Sequence, residues 1–358
     1  VIDVRMREGN SKERERSAGL GLIASKVLLE GPLKKKEGSY LVSGRFGYPG
    51  VVAGLLGSNL TSKPQMWFYD VNAKVNRTLD ARNRMFFSLY SGGDHTVFNK
   101  LVKGYGMDWG NATATIRWNH ILNDKTNVNT SAVFSNYYYK YKSLSDGLRY
   151  VWKSNMQSYQ LKSDWERYQN NLLTLKGGVN LHYFTTMPGE VGKSGKDSNI
   201  TPSQMPRKSL WDAALYAEAN YKFLPHFLLN AGGRLSVLHA PASAYYAAKT
   251  FVMPEPRAEL SFIPNASHRF SASYTQAAQS IHMLTTSSVG IPSDMWMPAN
   301  ALLKPSVMRQ LALGYEYNFP DKEYTLSLEA YMRRTSHVVD YRKNADIFQN
   351  DRIEDEVE

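Results

Sequence analysis

Apolar and polar residues alternate with period two along most of this chain. From Tyr324 to Arg333, one set is Tyr324, Leu326, Leu328, Ala330 and Met332; the other is Thr325, Ser327, Glu329, Tyr331 and Arg333. Leu173, Leu175, Val179, Leu181 and Tyr183 likewise oppose Lys176, Asn180 and His182, and Trp211, Ala213, Leu215, Ala217 and Tyr221 oppose Asp212, Glu218 and Asn220. Such a pattern predicts strands with one apolar and one polar face. Clusters of Pro, Asn, Asp and Gly near 35, 81, 125, 169, 225, 265 and 321 supply tight turns between paired runs. Seven hairpins, hence about 14 strands of about 10 to 14 residues, follow from this spacing.

Strand length decides what kind of sheet this is. Sandwich strands average about 5–6 residues, whereas about 9–11 tilted residues cross a bilayer. No recurrent Trp-Asp or double-Gly signature of a propeller accompanies the period. Longer polar connections, near 49–65, 92–106, 142–153, 184–208, 240–250 and 279–306, alternate with the short turns. Short turns at one end and long loops at the other mark an antiparallel transmembrane β-barrel, an all-β up-and-down meander. A barrel this wide cannot fill its interior with side chains, so its polar face lines the lumen and its apolar face meets lipid. Aromatics near strand ends, such as Trp67, Trp118, Trp165, Trp211, Tyr221, Phe270 and Tyr317, suit two interfacial girdles.

Composition adds little to that picture and removes some alternatives. Mean hydropathy is −0.44 and there are 23 tyrosines among 358 residues. No run approaches the roughly 18 apolar residues of a membrane helix. The absence of cysteine excludes disulfides, thiolate metal sites and a cysteine nucleophile. The net charge of +11 is spread rather than clustered; it favours anionic lipid and lipopolysaccharide head groups over nucleic acid. The eight histidines are scattered, and no catalytic triad, phosphate loop or zinc-helix spacing is present. No catalytic residue, resident metal or cofactor is expected; His282 with Met283 is the nearest approach to a metal or haem pair.

Stretches in three regions of the chain resemble a known family. VIDVRMREGN at 1–10, GLGLIASKVLLEGPLKK at 19–35 and SYLVSGRFGY at 39–48 are similar to the junction between plug and barrel in TonB-dependent outer-membrane receptors of the Bacteroidetes type. GIPSDMWMPANALLKPSVMRQLALGYEYNF at 290–319 and YMRRTSHVVDYRKNADIFQND at 331–351 resemble a later loop and the strands beside it. The resemblance implies a barrel of about 22 strands with an N-terminal plug. This chain would then be a fragment: residues 1–10 the plug's last strand, 11–358 a partial barrel, with most of the plug, its TonB-binding box and the final strands outside it.

The resemblance also implies active uptake of a scarce nutrient: siderophore-bound iron, haem, cobalamin, an oligosaccharide or a peptide. The partners it implies are the TonB–ExbB–ExbD complex, reached through the plug, and in one branch a surface lipoprotein. Ligand contacts are then expected from the long loops, with Trp109, Tyr150, Trp152, Tyr245, Tyr246, Met295 and Trp296 as candidates. Lumen charges such as Asp70, Lys74, Arg117, Lys162, Glu218, Arg234, Arg257 and Glu259 are expected to hydrogen-bond the plug. A passive porin-like or adhesin barrel without TonB coupling is the alternative, and a soluble carbohydrate-binding tandem β-sandwich a third reading.

Overall fold

The alternation builds one antiparallel meander. The structure, a computed structural model, describes residues 6–33, 37–56, 65–98, 104–145, 148–195, 198, 200–285, 294–320, 323–345, 350 and 352–358. Its strands are β1 (Glu15–Leu20), β2 (Ala24–Pro32), β3 (Gly38–Gly47), β4 (Gln65–Asp80), β5 (Asn83–Phe98), β6 (Tyr105–Asn123), β7 (Thr126–Ser145), β8 (Leu148–Asn170) and β9 (Leu173–Lys193). They continue with β10 (Ser203–Gln204), β11 (Lys208–Leu224), β12 (Phe227–Ala240), β13 (Lys249–Asn265), β14 (His268–Gln279), β15 (Ile281–Leu284), β16 (Met295–Pro298), β17 (Ser306–Asn318) and β18 (Thr325–Ser336). One helix, α1 (Pro49–Leu56), follows β3. The main sheet has 16 strands and runs β1 to β9, then β11 to β14, β17 and β18; β10 pairs with β9 off this path, and β15–β16 form a separate hairpin. The sheet curves without closing, because β1 and β18 each have a neighbour on one side only.

All seven expected hairpins are present, at β2–β3, β4–β5, β6–β7, β8–β9, β11–β12, β13–β14 and β17–β18. Apart from the short β10 and the β15–β16 hairpin, which fall in expected loops, two features differ from the expectation. β1 is an additional strand, whose outward positions Arg16, Ala18 and Leu20 are too few to make a periodic signal. β6 to β9 span 19, 20, 23 and 21 residues, well beyond a bilayer. Much of 92–106 and 142–153 is therefore strand rather than loop, zipped into a sheet that projects past the lipid on the long-connection side.

Burial is inverted relative to a soluble protein. On the apolar face Leu215 is 62% exposed and Leu313 64%, while on the polar face Glu30 and Asn76 are each 1% exposed. The exposed apolar face is the lipid side. Aromatics band it at two levels. Tyr159, Tyr183 and Trp211 stack across β8, β9 and β11 at 6.2 and 4.5 Å. Phe227, Phe262, Phe270 and Tyr315 stack across β12, β13, β14 and β17 near the short turns, at 4.8, 6.2 and 4.9 Å. On β11, Trp211 and Tyr221 are 10 residues apart, one at each level. At about 3.3 Å per residue and a tilt near 45°, that separation is about 23 Å, close to the height of an apolar band about 25 Å tall.

The lumen wall is tied together by its own charges. Arg45 pairs with Asp70 at 2.6 Å, Arg257 with Glu218 at 2.8 Å and Arg269 with Glu259 at 2.9 Å. Arg234 bridges Asp212 and Glu255, both at 3.5 Å. The Tyr216 hydroxyl donates to Asp164 across Gly178, where a Cβ would stand 2.5 Å from that hydroxyl, so the cross-wall bond needs glycine there. Pro254 and Pro256 sit in β13 beyond Arg257, where pairing with β14 has ended, so their missing N–H groups break no ladder on that side. Gln276 Nε2 donates to the Pro254 carbonyl at 2.7 Å instead.

Residues 1–5 lie outside the described residues, and 6–10 carry no regular strand. The segment docks on the lumen wall near the short-turn end. Arg7 donates two hydrogen bonds to the buried Glu30 carboxylate, which also accepts the Asn10 N–H at 2.9 Å. Lys74 donates to the Met6 carbonyl at 2.9 Å and pairs with Glu8 at 2.6 Å, and Asn76 donates to Glu8 at 2.7 Å.

Candidate ligand-facing mouth of the barrel

On the long-connection side the projecting strands and the loops close over a second interior. Tyr139 and Trp152 come from β7 and β8, Val191 from β9 and Met205 from the stretch after β10. Leu284, Met295 and Met297 come from the β15–β16 hairpin, and Ile353 and Val357 from the last residues. Segment 352–358 reaches this core by pairing back on 340–342: Tyr341 bridges Val357, and Asp340 and Glu358 exchange backbone hydrogen bonds of 3.1 and 3.0 Å.

The seven residues singled out from the sequence divide between this core and its rim. Trp152 and Met295 are interior, at 8% and 4% exposure, and Trp109 and Tyr150 pack half-buried against them. Tyr150 lies 5.9 Å from the Tyr141 ring. Trp296, half-buried, alternates to the other face of β16 from Met295 and Met297. Tyr245 and Tyr246 stand apart, in the connection between β12 and β13. The Arg352 guanidinium lies 5.7 Å from the Tyr245 ring and the Lys208 ammonium 5.7 Å from the Tyr246 ring.

Sequence reasoning missed the polar centre beside these tyrosines. Lys208 and Glu354 form an ion pair with side chains only 2% and 1% exposed. Asn300 Nδ2 donates to the same carboxylate at 3.0 Å, and burial together with the Glu354 charge pushes the Tyr246 hydroxyl upward. The partners are 146 residues apart, and nothing periodic links them.

A second buried carboxylate, Asp294, has its Oδ1 without a hydrogen-bond partner among the described residues. Its charge, after burial itself, raises the Tyr137 and Tyr341 hydroxyls.

His282 and Met283 do not converge. His282 is 4% exposed; its Nε2 donates to the Lys304 carbonyl at 3.0 Å and its Nδ1 faces the Ser306 hydroxyl at 3.4 Å. Met283 points out at 47% exposure. Among the described residues no group of three acidic or histidine side chains is placed to hold a metal ion.

Burial lowers His282 below its ordinary 6.5, which fixes a pH dependence. The folded hairpin holds the ring neutral, so below about 6.5 the opened state binds more protons. Stability of β15–β16 therefore falls as pH drops through that value and levels off below the folded value. Protection of the 281–284 and 295–297 amides, corrected for the intrinsic pH trend, is expected to fall between about pH 7.5 and about pH 5.5, and His282→Gln is expected to remove the difference.

The family described as TonB dependent receptor-like, beta-barrel matches residues 54–358. The chain belongs to this family. Solved ferric-chelate receptors are also its structural neighbours. The ferric yersiniabactin uptake receptor FyuA from Yersinia pestis superposes with a TM-score of 0.68 at 11% identity, over 92% of this chain and 55% of that one. The ferric-catecholate import receptor Fiu from E. coli K12, in its closed form, gives 0.67 at 12%, over 94% and 60%. The ferric preacinetobactin receptor BauA from Acinetobacter baumannii gives 0.62 at 12%, over 86% and 51%. This TonB-dependent receptor chain thus spans between half and about three fifths of the receptors it superposes on. No curated protein matches by sequence.

Proposed function

We propose that the chain is the barrel part of an outer-membrane receptor that imports a scarce nutrient by TonB-coupled active transport. The observation that carries this reading is the docking of residues 6–10 on the lumen wall through Glu30, Lys74 and Asn76. A passive pore has no use for a chain segment tied inside its wall. A plug does, because it must stay attached to the barrel while its remaining contacts rearrange. The segment is accordingly the end of a plug that occupies residues 1–10 and whatever precedes them.

The mouth supplies the ligand contacts in this reading. Trp109, Tyr150, Tyr245, Tyr246 and Trp296 offer partly exposed aromatic faces, and Trp109 and Tyr150 pack on the core that contains Trp152 and Met295. Aromatic faces, with the exposed Arg352 guanidinium beside Tyr245, suit an anionic cargo with aromatic chelating groups, such as a catecholate ferric siderophore, better than a neutral oligosaccharide. The test uses the full-length protein in cells with and without a working TonB. Radiolabelled ferric siderophore, haem, cobalamin and oligosaccharide are offered in turn. Uptake of one of them that disappears with TonB is expected; equal uptake in both strains would leave a passive barrel.

A further inference from the structure

We propose that the β1–β2 turn and helix α1 form a shallow membrane anchor, seated at the head-group boundary of the lipid leaflet on the long-connection side. It rests on the lipid-facing assignment of the outward face and not on transport. The two pieces are held together. Tyr48, next to the helix, donates its N–H to the Ile23 carbonyl at 2.7 Å and its hydroxyl to the Gly21 carbonyl at 2.6 Å; the same hydroxyl meets Ser25 at 3.0 Å. Val51 N–H then returns to the Tyr48 carbonyl at 3.0 Å, starting the helix.

The result is an uncharged apolar surface with none of the described residues over it. Leu20 is 88% exposed, Leu22 75%, Val51 59% and Leu55 77%. Residues 17–25 and 46–56 contain no charged side chain. Val51 and Leu55 are four apart on α1 and so share one helix face.

Depth argues for lipid as the occupant. β2 and β3 are 9 and 10 residues long, about one bilayer crossing, and β1 has 6. The turn that joins β1 to β2 therefore ends at the interface, whereas β6 to β9 carry their connections far beyond it. The patch is also continuous with the lipid face. Leu20 pairs with Ser25, on the outward side that holds Val27 and Leu29. The Tyr48 ring lies 6.4 Å from Phe46, which stacks on Trp67 at 6.2 Å in the upper girdle. Side chains of this kind beside a girdle bury their apolar face in the leaflet and leave little charge to be desolvated.

These residues contain no cysteine, so a cysteine-free background of the full-length protein allows a direct test. Single variants Leu22→Cys and Leu55→Cys of the full-length protein are spin-labelled in lipid vesicles. Val42→Cys serves as the lipid reference and Glu329→Cys as the lumen reference. The ratio of oxygen to nickel-chelate collision rates at 22 and 55 is expected to be several-fold above that at 329 and to approach that at 42. A ratio matching position 329 would overturn the anchor by placing the patch in water. Low access to both reagents would overturn it in favour of a protein covering the patch. Water-like access at position 42 would overturn the lipid-facing assignment itself.

Discussion

Lys208→Met is expected to release segment 352–358 from the mouth while leaving the membrane-spanning sheet intact. Glu354 is then a buried carboxylate that, among the described residues, keeps only the Asn300 amide as a side-chain donor. Leaving one partner of a buried pair uncompensated costs about 3–5 kcal/mol. Among the described residues the segment's other ties include the bridge of Tyr341 to Val357, the backbone bonds of Asp340 and Arg342, the Asn350–Glu356 bond, the Arg352–Tyr245 contact, and the side chains Ile353 and Val357. They are few enough for a loss of that size to shift the docking equilibrium by two orders of magnitude or more. Trypsin reads this at Arg352, whose guanidinium rests over Tyr245 in the docked state. Cleavage there is expected to accelerate about 100-fold or more, a loss of about 3 kcal/mol when opening is fast. The double variant Lys208→Met, Glu354→Leu is expected to return cleavage toward the parent rate, because apolar replacement of a whole buried pair is close to neutral. Parent-rate cleavage in the single variant would mean that the pair contributes nothing to docking.

That ion pair also marks where sequence reasoning stops. The hairpins are legible because lipid on one side and water on the other impose a strict two-residue period, and Leu311, Leu313, Tyr315 and Tyr317 against Gln310, Glu316 and Asn318 show it plainly. Above the membrane that constraint ends. Tyr137, Tyr138, Tyr139 and Tyr141 put aromatics on both faces of β7, since one face packs the mouth's core and the other meets half-exposed neighbours. The period vanishes there although the strand continues, so the 23 residues of β8 read as strand plus loop. The mouth itself is partly legible. Aromatics in polar connections stand out, and Trp109, Tyr150, Trp152 and Met295 do meet. Their meeting place is set by the long-range pairing of 340–342 with 356–358 and by the bond between Lys208 and Glu354, which no local pattern encodes.

Within the bilayer the same strict period makes adjacent residues opposite in consequence. Leu313 and Ala312 are neighbours at mid-height on β17. Leu313 faces lipid between Ala272 and Ala330; Ala312 faces the lumen between Ser273 and Tyr331. Leu313→Arg is expected to cost about 2–4 kcal/mol, the penalty for a guanidinium near the midplane of a barrel's lipid face. Ala312→Arg, one step along the chain, is expected to cost less than about 1 kcal/mol, because the lumen wall already holds Arg269, Glu259, Glu316 and Glu329 nearby and is wet. Urea titration of the full-length protein refolded into vesicles measures both. Similar, small costs at both positions would place water rather than lipid against the Leu313 face. The difference between the two variants, rather than either value alone, is the quantity that decides on which side of this sheet the lipid lies. Any general cost of placing a long side chain at mid-strand is common to both and cancels.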